Sequence, residues 1–196
     1  MVVRSTLIAG AMALIIGASS FGVNVSAQTP DIPAPVYDTL TIPQGRLTRG
    51  QFIAVVATRL FSVSRHDSCF RDLVGDYAPA YTTLFSDVSL THPIATSVCV
   101  MMYSSLVRGS SNMLYPNQWI TASEAAAIFS RLAAVIPSEK LHEPWYQRYM
   151  KTMHAMDPSF TFQPGDFVTG SDLRNMMCAL KQVTPELNPN GDLTGC

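Results

Sequence analysis

The sequence predicts an all-α fold: tandem helix-loop-helix repeats wrapped around one shared apolar centre, with irregular loops between them. Three observations carry this. A pattern of proline, three residues, an aliphatic and then threonine occurs at Pro43–Thr48, Pro116–Thr121 and Pro164–Thr169. Each threonine opens a stretch with apolar residues at helical spacing. Hydrophobic residues make up 47% of the chain and charged ones 14%, too apolar a balance for disorder.

Each threonine reads as a helix N-cap, with Gln51, Glu124 and Asp172 three positions on to complete a capping box. The aspartate is the shortest of these side chains, so the third box should be the weakest. Leu47, Ile120 and Val168, just before the caps, are placed to pack on Phe52, Ala125 and Leu173 as hydrophobic staples. Apolar residues then fall four, seven and eight positions past each threonine: Phe52, Val55 and Val56; Ala125, Ile128 and Phe129; Leu173, Met176 and Met177. That is one helix face, and it predicts helices over 49–61, 122–135 and 170–182.

Two repeats carry an earlier helix. Pro93 begins a stretch with Ile94, Val98, Met101, Met102 and Leu106 on one face, ending at Gly109-Ser110-Ser111-Asn112. Pro144 precedes Trp145, Tyr149, Met153 and Met156, ending at Asp157-Pro158. Proline suits the first helical position. Residues Ser62 to Leu84 read as a long irregular stretch, so the first repeat shows only its capped helix. In Phe70-Arg71-Asp72-Leu73 and Phe85-Ser86-Asp87-Val88 the phenylalanine is expected to anchor in a core while the aspartate caps the following turn. Two short helices cannot bury enough surface alone, so the units must stack on one another.

The N-terminus predicts export. Met1-Val2-Val3-Arg4 is a positive start, Leu7 to Ile16 an apolar stretch, and Val25-Ser26-Ala27 a small-x-small cleavage pattern, so residues 1–27 read as a signal peptide with Gln28 as the new end. Gly17, Ser19, Ser20, Gly22 and Asn24 interrupt the apolar run before it reaches spanning length, and no membrane span is expected after cleavage. Cleavage removes one base, Arg4, leaving 12 bases against 14 acids. No basic block is present, which argues against a nucleic-acid partner. Residues 28–42, with Pro30, Pro33 and Pro35, read as an extended spacer. The repeat domain runs over 43–182 (repeats about 43–61, 85–135 and 136–182), and 183–196 is a C-terminal tail.

The four cysteines, Cys69, Cys99, Cys178 and Cys196, are even in number, which in an exported chain points to two disulfides. Three pairings are possible; Cys69–Cys99 with Cys178–Cys196 is favoured because each closes a local loop. A zinc site lacks any C-x-x-C pair, with His66 near Cys69 the one close His–Cys neighbour. No metal and no cofactor is expected.

Phe85-Ser86-Asp87-Val88, the helix from Pro93 to Val107, Gly109, Tyr115-Pro116 and Ile120-Thr121-Ala122-Ser123-Glu124 together resemble an S-layer homology repeat. Leu47-Thr48-Arg49-Gly50-Gln51-Phe52 resembles the same helix start with its arginine kept, and residues 144–182 resemble a third, more divergent copy. The resemblance covers most of 43–182. It implies a pseudo-threefold helical bundle whose grooves hold a cell-wall polysaccharide, often an acidic secondary polymer, attaching the protein noncovalently to a bacterial cell surface.

Within that reading the ligand-binding candidates are Thr48, Arg49, Asp87, Trp119, Thr121, Glu124, Trp145 and Thr169. Arg49 sits in the first turn of a helix, where a cation is unfavourable unless an anion joins it; Thr48 and free backbone amides would complete the contact. It is otherwise an exposed arginine of no special role. Its counterparts are Ala122 and Gly170, so two of three pockets lack the cation. Trp119, Tyr115 and Trp145 can stack on sugar rings or serve as core-edge residues. Asp87 and Glu124 are ligand contacts or caps.

No catalytic signature is present: there is no Gly-x-Ser-x-Gly elbow, His-Glu-x-x-His, Walker loop or dinucleotide fingerprint. His142-Glu143 lacks its second histidine, and His66, His92, His142 and His154 read as surface or turn residues. The chain is therefore expected not to be an enzyme. The alternatives to polymer binding are an envelope module for structure or protein interaction that has lost sugar binding, and a small exported wall hydrolase with a carboxylate pair.

Overall fold

The computed structural model describes residues 42–74, 83–135 and 142–185. The signal peptide, spacer residues 28–41 and Cys196 lie outside them. The described residues are predominantly helical: α1 (Arg49–Leu60), α2 (Val63–Val74), α3 (Ala95–Tyr103), α4 (Ala122–Leu132), α5 (Gln147–Met156) and α6 (Gly170–Val183). Between α2 and α3 lies an antiparallel hairpin of β1 (Thr83–Phe85) and β2 (Val88–Ser89).

All three capping boxes form. Thr48, Thr121 and Thr169 have extended backbones, and each hydroxyl accepts the third-residue amide while that residue's side chain accepts the cap's own N–H. The short Asp172 reaches: Thr169 N–H donates to its Oδ2 at 2.8 Å. α1, α4 and α6 therefore start where the threonines place them, each box stabilising by about 1 kcal/mol.

The residues ahead of the caps do more than staple. Leu47 N–H donates to Val168 O at 2.9 Å, Ile120 N–H to Leu47 O at 3.0 Å, and Val168 N–H to Ile120 O at 3.2 Å. The three aliphatics thus bond head to tail in a closed ring, and all three are fully buried. The flanking residues alternate round it as antiparallel bridges, Thr48 with Trp119, Thr121 with Phe167, and Thr169 with Arg46. The next amides follow the same order. Arg49 N–H donates to Gln118 O at 2.7 Å, Ala122 N–H to Asp166 O at 2.7 Å, and Gly170 N–H to Gly45 O at 3.1 Å. Gly50 N–H reaches Pro116 O at 2.8 Å and Ser123 N–H reaches Pro164 O at 3.2 Å. The first amides of a helix have no partner within it; here a neighbouring motif's carbonyls supply one.

Around the ring lies the core. Every apolar residue expected on the α1, α4 and α6 faces is buried, from Phe52 through Met177, and Phe52 meets Phe129 edge to face at 6.0 Å. α3 packs against α1 and α2, and α4 against α5.

Four expectations are corrected. Residues 63–74, read as irregular, form α2. The segment is strongly amphipathic at helical spacing, a signal that the irregular reading overlooked, and its Cys69 is disulfide-bonded to Cys99 of α3. Phe70 and Asp72 consequently sit inside a helix. Pro93 and Pro144 precede their helices instead of opening them: Ala95 N–H bonds His92 O and Gln147 N–H bonds Pro144 O, so each proline belongs to a lead-in turn. The stretch around Phe85 is a two-stranded hairpin, not a loop alone. Of the two expected disulfides, Cys69–Cys99 is formed. Cys178 is also disulfide-bonded, while its expected partner Cys196 lies outside the described residues.

Gly170 shows why no arginine follows Thr169. A Cβ at that position would run into the Pro43 carbonyl oxygen and crowd the Ile42 side chain. Gly170→Ala must push the Pro43 backbone away from the ring, and should lower the unfolding free energy by about 3 kcal/mol, read as a shifted midpoint in urea denaturation at unchanged slope.

Candidate functional site

Arg49 leaves the first turn of α1 and crosses to α4 and the loop ahead of it. Its Nη1 donates to Leu114 O at 2.7 Å and Tyr115 O at 3.3 Å, and its Nη2 pairs with Glu124 Oε1. The two side chains are only 16% and 30% exposed. Glu124 is shared: its Oε2 accepts Thr121 N–H at 3.1 Å to close the capping box of α4, leaving Oε1 for Arg49. One carboxylate therefore fixes a helix start and anchors a cation from another helix.

Asp87 completes the clamp from the far side. It accepts Leu114 N–H at 2.8 Å and Tyr115 N–H at 2.6 Å. It was expected to cap the turn that follows it; instead it holds a loop 27 residues on. Tyr115 between these grips has φ 57°, a left-handed conformation costing a non-glycine residue roughly 1–2 kcal/mol. Its N–H is held by Asp87 and its C=O by Arg49, so the bonds on both sides impose the geometry. The Arg49 guanidinium lies 6.0 Å from the centre of the Tyr115 ring.

Arg49, Leu114, Tyr115 and Glu124 line an open groove of about 520 Å3. Arg49, the 106–118 loop, one face of α4 and Trp145 form its walls. Glu124, Ala127, Ile128 and Arg131 reach it from α4 at helical spacing. Trp145 is 53% exposed and makes edge contacts with Tyr146 and Tyr149 at 5.9 and 6.2 Å. It does not join the core face as its spacing suggested. The lining carries three guanidinium groups, on Arg49, Arg108 and Arg131, and one carboxylate, on Glu124.

The structure thus brings Arg49, Glu124 and Trp145 together, with Asp87 fixing the wall from behind. The other candidates stand apart from the lining. Thr48 is 2% exposed and occupied as a cap. Thr121 and Thr169 are likewise caps, and Trp119 pairs with Thr48 in the ring. The free amides expected beside Arg49 are occupied: Arg49, Gly50 and Gln51 donate to Gln118 O, Pro116 O and Thr48 Oγ1. Two groove cations were missed. Arg131 donates to Leu106 O at 2.7 Å and lies 5.3 Å from the Tyr149 ring; its place seven residues after Glu124 was the available signal. Arg108, a single charge between Leu106-Val107 and Gly109, was the other.

Among the described residues no group of three or more histidine, cysteine or acidic side chains is gathered to hold a metal, and no helix is long and apolar enough to cross a membrane. No protein-family model matches the chain, and no curated protein matches it significantly.

Truncating the clamp should be costly. Asp87→Ala removes a charged acceptor from two amides and releases Tyr115, lowering the unfolding free energy by about 2–3 kcal/mol. Ser86→Ala, one residue away and exposed, should lose less than about 1 kcal/mol; urea melts of both variants check this.

Proposed function

We propose that the chain is an exported bacterial envelope protein of S-layer homology type, its three repeats packed with pseudo-threefold symmetry, and that it holds a cell-wall polysaccharide noncovalently in the groove beside Arg49. The repeat packing is supported by the closed ring through Leu47, Ile120 and Val168 and by the three capping boxes in equivalent places. Export is supported by the N-terminal pattern and by the Cys69–Cys99 disulfide, a bond that persists in oxidising compartments.

The single observation that carries the ligand reading is the composition of the groove: a half-exposed indole and a tyrosine ring beside three guanidinium groups and one carboxylate. Aromatic faces stack on the apolar faces of sugar rings, and an excess of fixed cations selects an acidic polymer. Arg49 enters here chiefly as a positioning residue, since its donors are engaged on Leu114, Tyr115 and Glu124. That engagement, with Ala122 and Gly170 at the matching positions, also favours a second reading: an envelope module that keeps the fold for structure or protein interaction and binds no sugar.

Co-sedimentation with wall sacculi separates the two. The purified chain should pellet saturably, and Trp145→Ala should weaken pelleting roughly tenfold, the scale of one lost stacking contact of about 1.4 kcal/mol, while its lost edge contacts with Tyr146 and Tyr149 lower the melting temperature by no more than about 5 °C. Absence of pelleting by the unaltered chain favours the module without sugar binding. Unchanged pelleting by Trp145→Ala removes the groove from the reading.

A further inference from the structure

We infer that Arg108 is the residue that reads the negative charge of the ligand, and that the groove beside Arg49 takes an oxyanion-bearing glycan through it; this rests on the polymer-binding reading above. Of the three guanidinium groups in the lining, two are spoken for. Arg49 is bonded to two carbonyls and to Glu124. Arg131 is bonded to Leu106 O and lies against the Tyr149 ring. The Arg108 side chain is exposed and makes no hydrogen bond, ion pair or ring contact among the described residues.

The backbone that carries Arg108 is nevertheless fixed. Leu106 and Val107 before it are buried, and both amides donate to Met101 O, at 2.9 and 3.3 Å. Gly109 after it lies so close to the Phe85 ring and the Met113 carbonyl that no side chain fits there. Ser110 and Met113 then exchange backbone hydrogen bonds at 2.8 and 2.9 Å, closing the turn. An anchored backbone leaves only the Arg108 side chain itself to be ordered on binding, and a guanidinium matches a carboxylate or phosphate with two parallel bonds.

The third repeat offers no equivalent. Residues 104–120 join α3 to α4, whereas the shorter 157–168 segment joins α5 to α6. No arginine or lysine occurs in that shorter segment. The wall that presents Arg108 thus belongs to the second repeat and to the one groove that also holds Arg49.

Sedimentation with wall sacculi of the producing bacterium tests this, using the full exported chain with Arg108→Ala, Arg108→Lys and, as a charge control outside the groove, Arg71→Ala. Arg108→Ala should lose at least tenfold in affinity with an unchanged melting temperature. Arg108→Lys should recover part of the loss, and Arg71→Ala should bind as the unaltered chain does. Raising the salt should weaken the unaltered chain more steeply than Arg108→Ala. Two treatments of the sacculi identify the anion: carbodiimide amidation blocks carboxylates, and hydrofluoric acid removes phosphodiesters. Loss of binding after amidation supports the inference and names a carboxylate; loss after hydrofluoric acid with binding kept after amidation supports it and names a phosphate; binding kept after both overturns it. Equal binding by Arg108→Ala and the unaltered chain overturns it while leaving polymer binding intact. Failure of the unaltered chain to pellet overturns both.

Discussion

Three backbone hydrogen bonds, from Leu47 to Val168, Ile120 to Leu47 and Val168 to Ile120, hold together segments that are far apart in the chain. An extended strand buried on its own would leave amides and carbonyls unsatisfied, at about 1–3 kcal/mol for each group. Closing three short strands on each other removes that penalty without a sheet and without an edge. It also fixes where α1, α4 and α6 begin, because each helix's leading amides bond carbonyls of another motif. The apolar faces of those helices then have one place to go.

The groove is a consequence of that geometry. Once the motifs are locked, the first turn of α1 lies beside the loop that leads into α4, and Arg49 can reach Leu114, Tyr115 and Glu124 together. At the matching place after Thr169 the backbones approach so closely that only Gly170 fits. The three Pro-to-Thr motifs are thus alike in their hydrogen bonds and unlike in their side chains, and the groove owes its charge to the difference.

Much of this was legible in the residues. The Pro-to-Thr spacing identified the three helix starts, and the boxes built on Gln51, Glu124 and Asp172 formed as read, because a cap is a local interaction whose partners lie three residues apart. The buried faces of α1, α4 and α6 were legible for the same reason. Nonlocal relations were not. α2 is a local exception: its amphipathic spacing is present in the residues, but the polar run Ser64-Arg65-His66-Asp67-Ser68 separates its few apolar positions and it was overlooked. Asp87 was assigned to its nearest turn, whereas its partners are the amides of Leu114 and Tyr115. Trp145 fell at core spacing, yet it lies at a groove edge. Arg108 and Arg131 became notable only once distant segments formed one wall. Spacing reads what a residue does within its own helix or turn and is silent on what a distant segment brings to it.

The ring can be tested without any ligand. Native-state hydrogen exchange followed by NMR resolves the amides of Leu47, Ile120 and Val168, none of which is bonded within a helix. All three should exchange with the same, highest free energy of opening, matching that of global unfolding, because breaking one link releases the other two. Rapid, independent exchange at any of the three, while the α4 interior stays protected, would show that the fold does not depend on the ring.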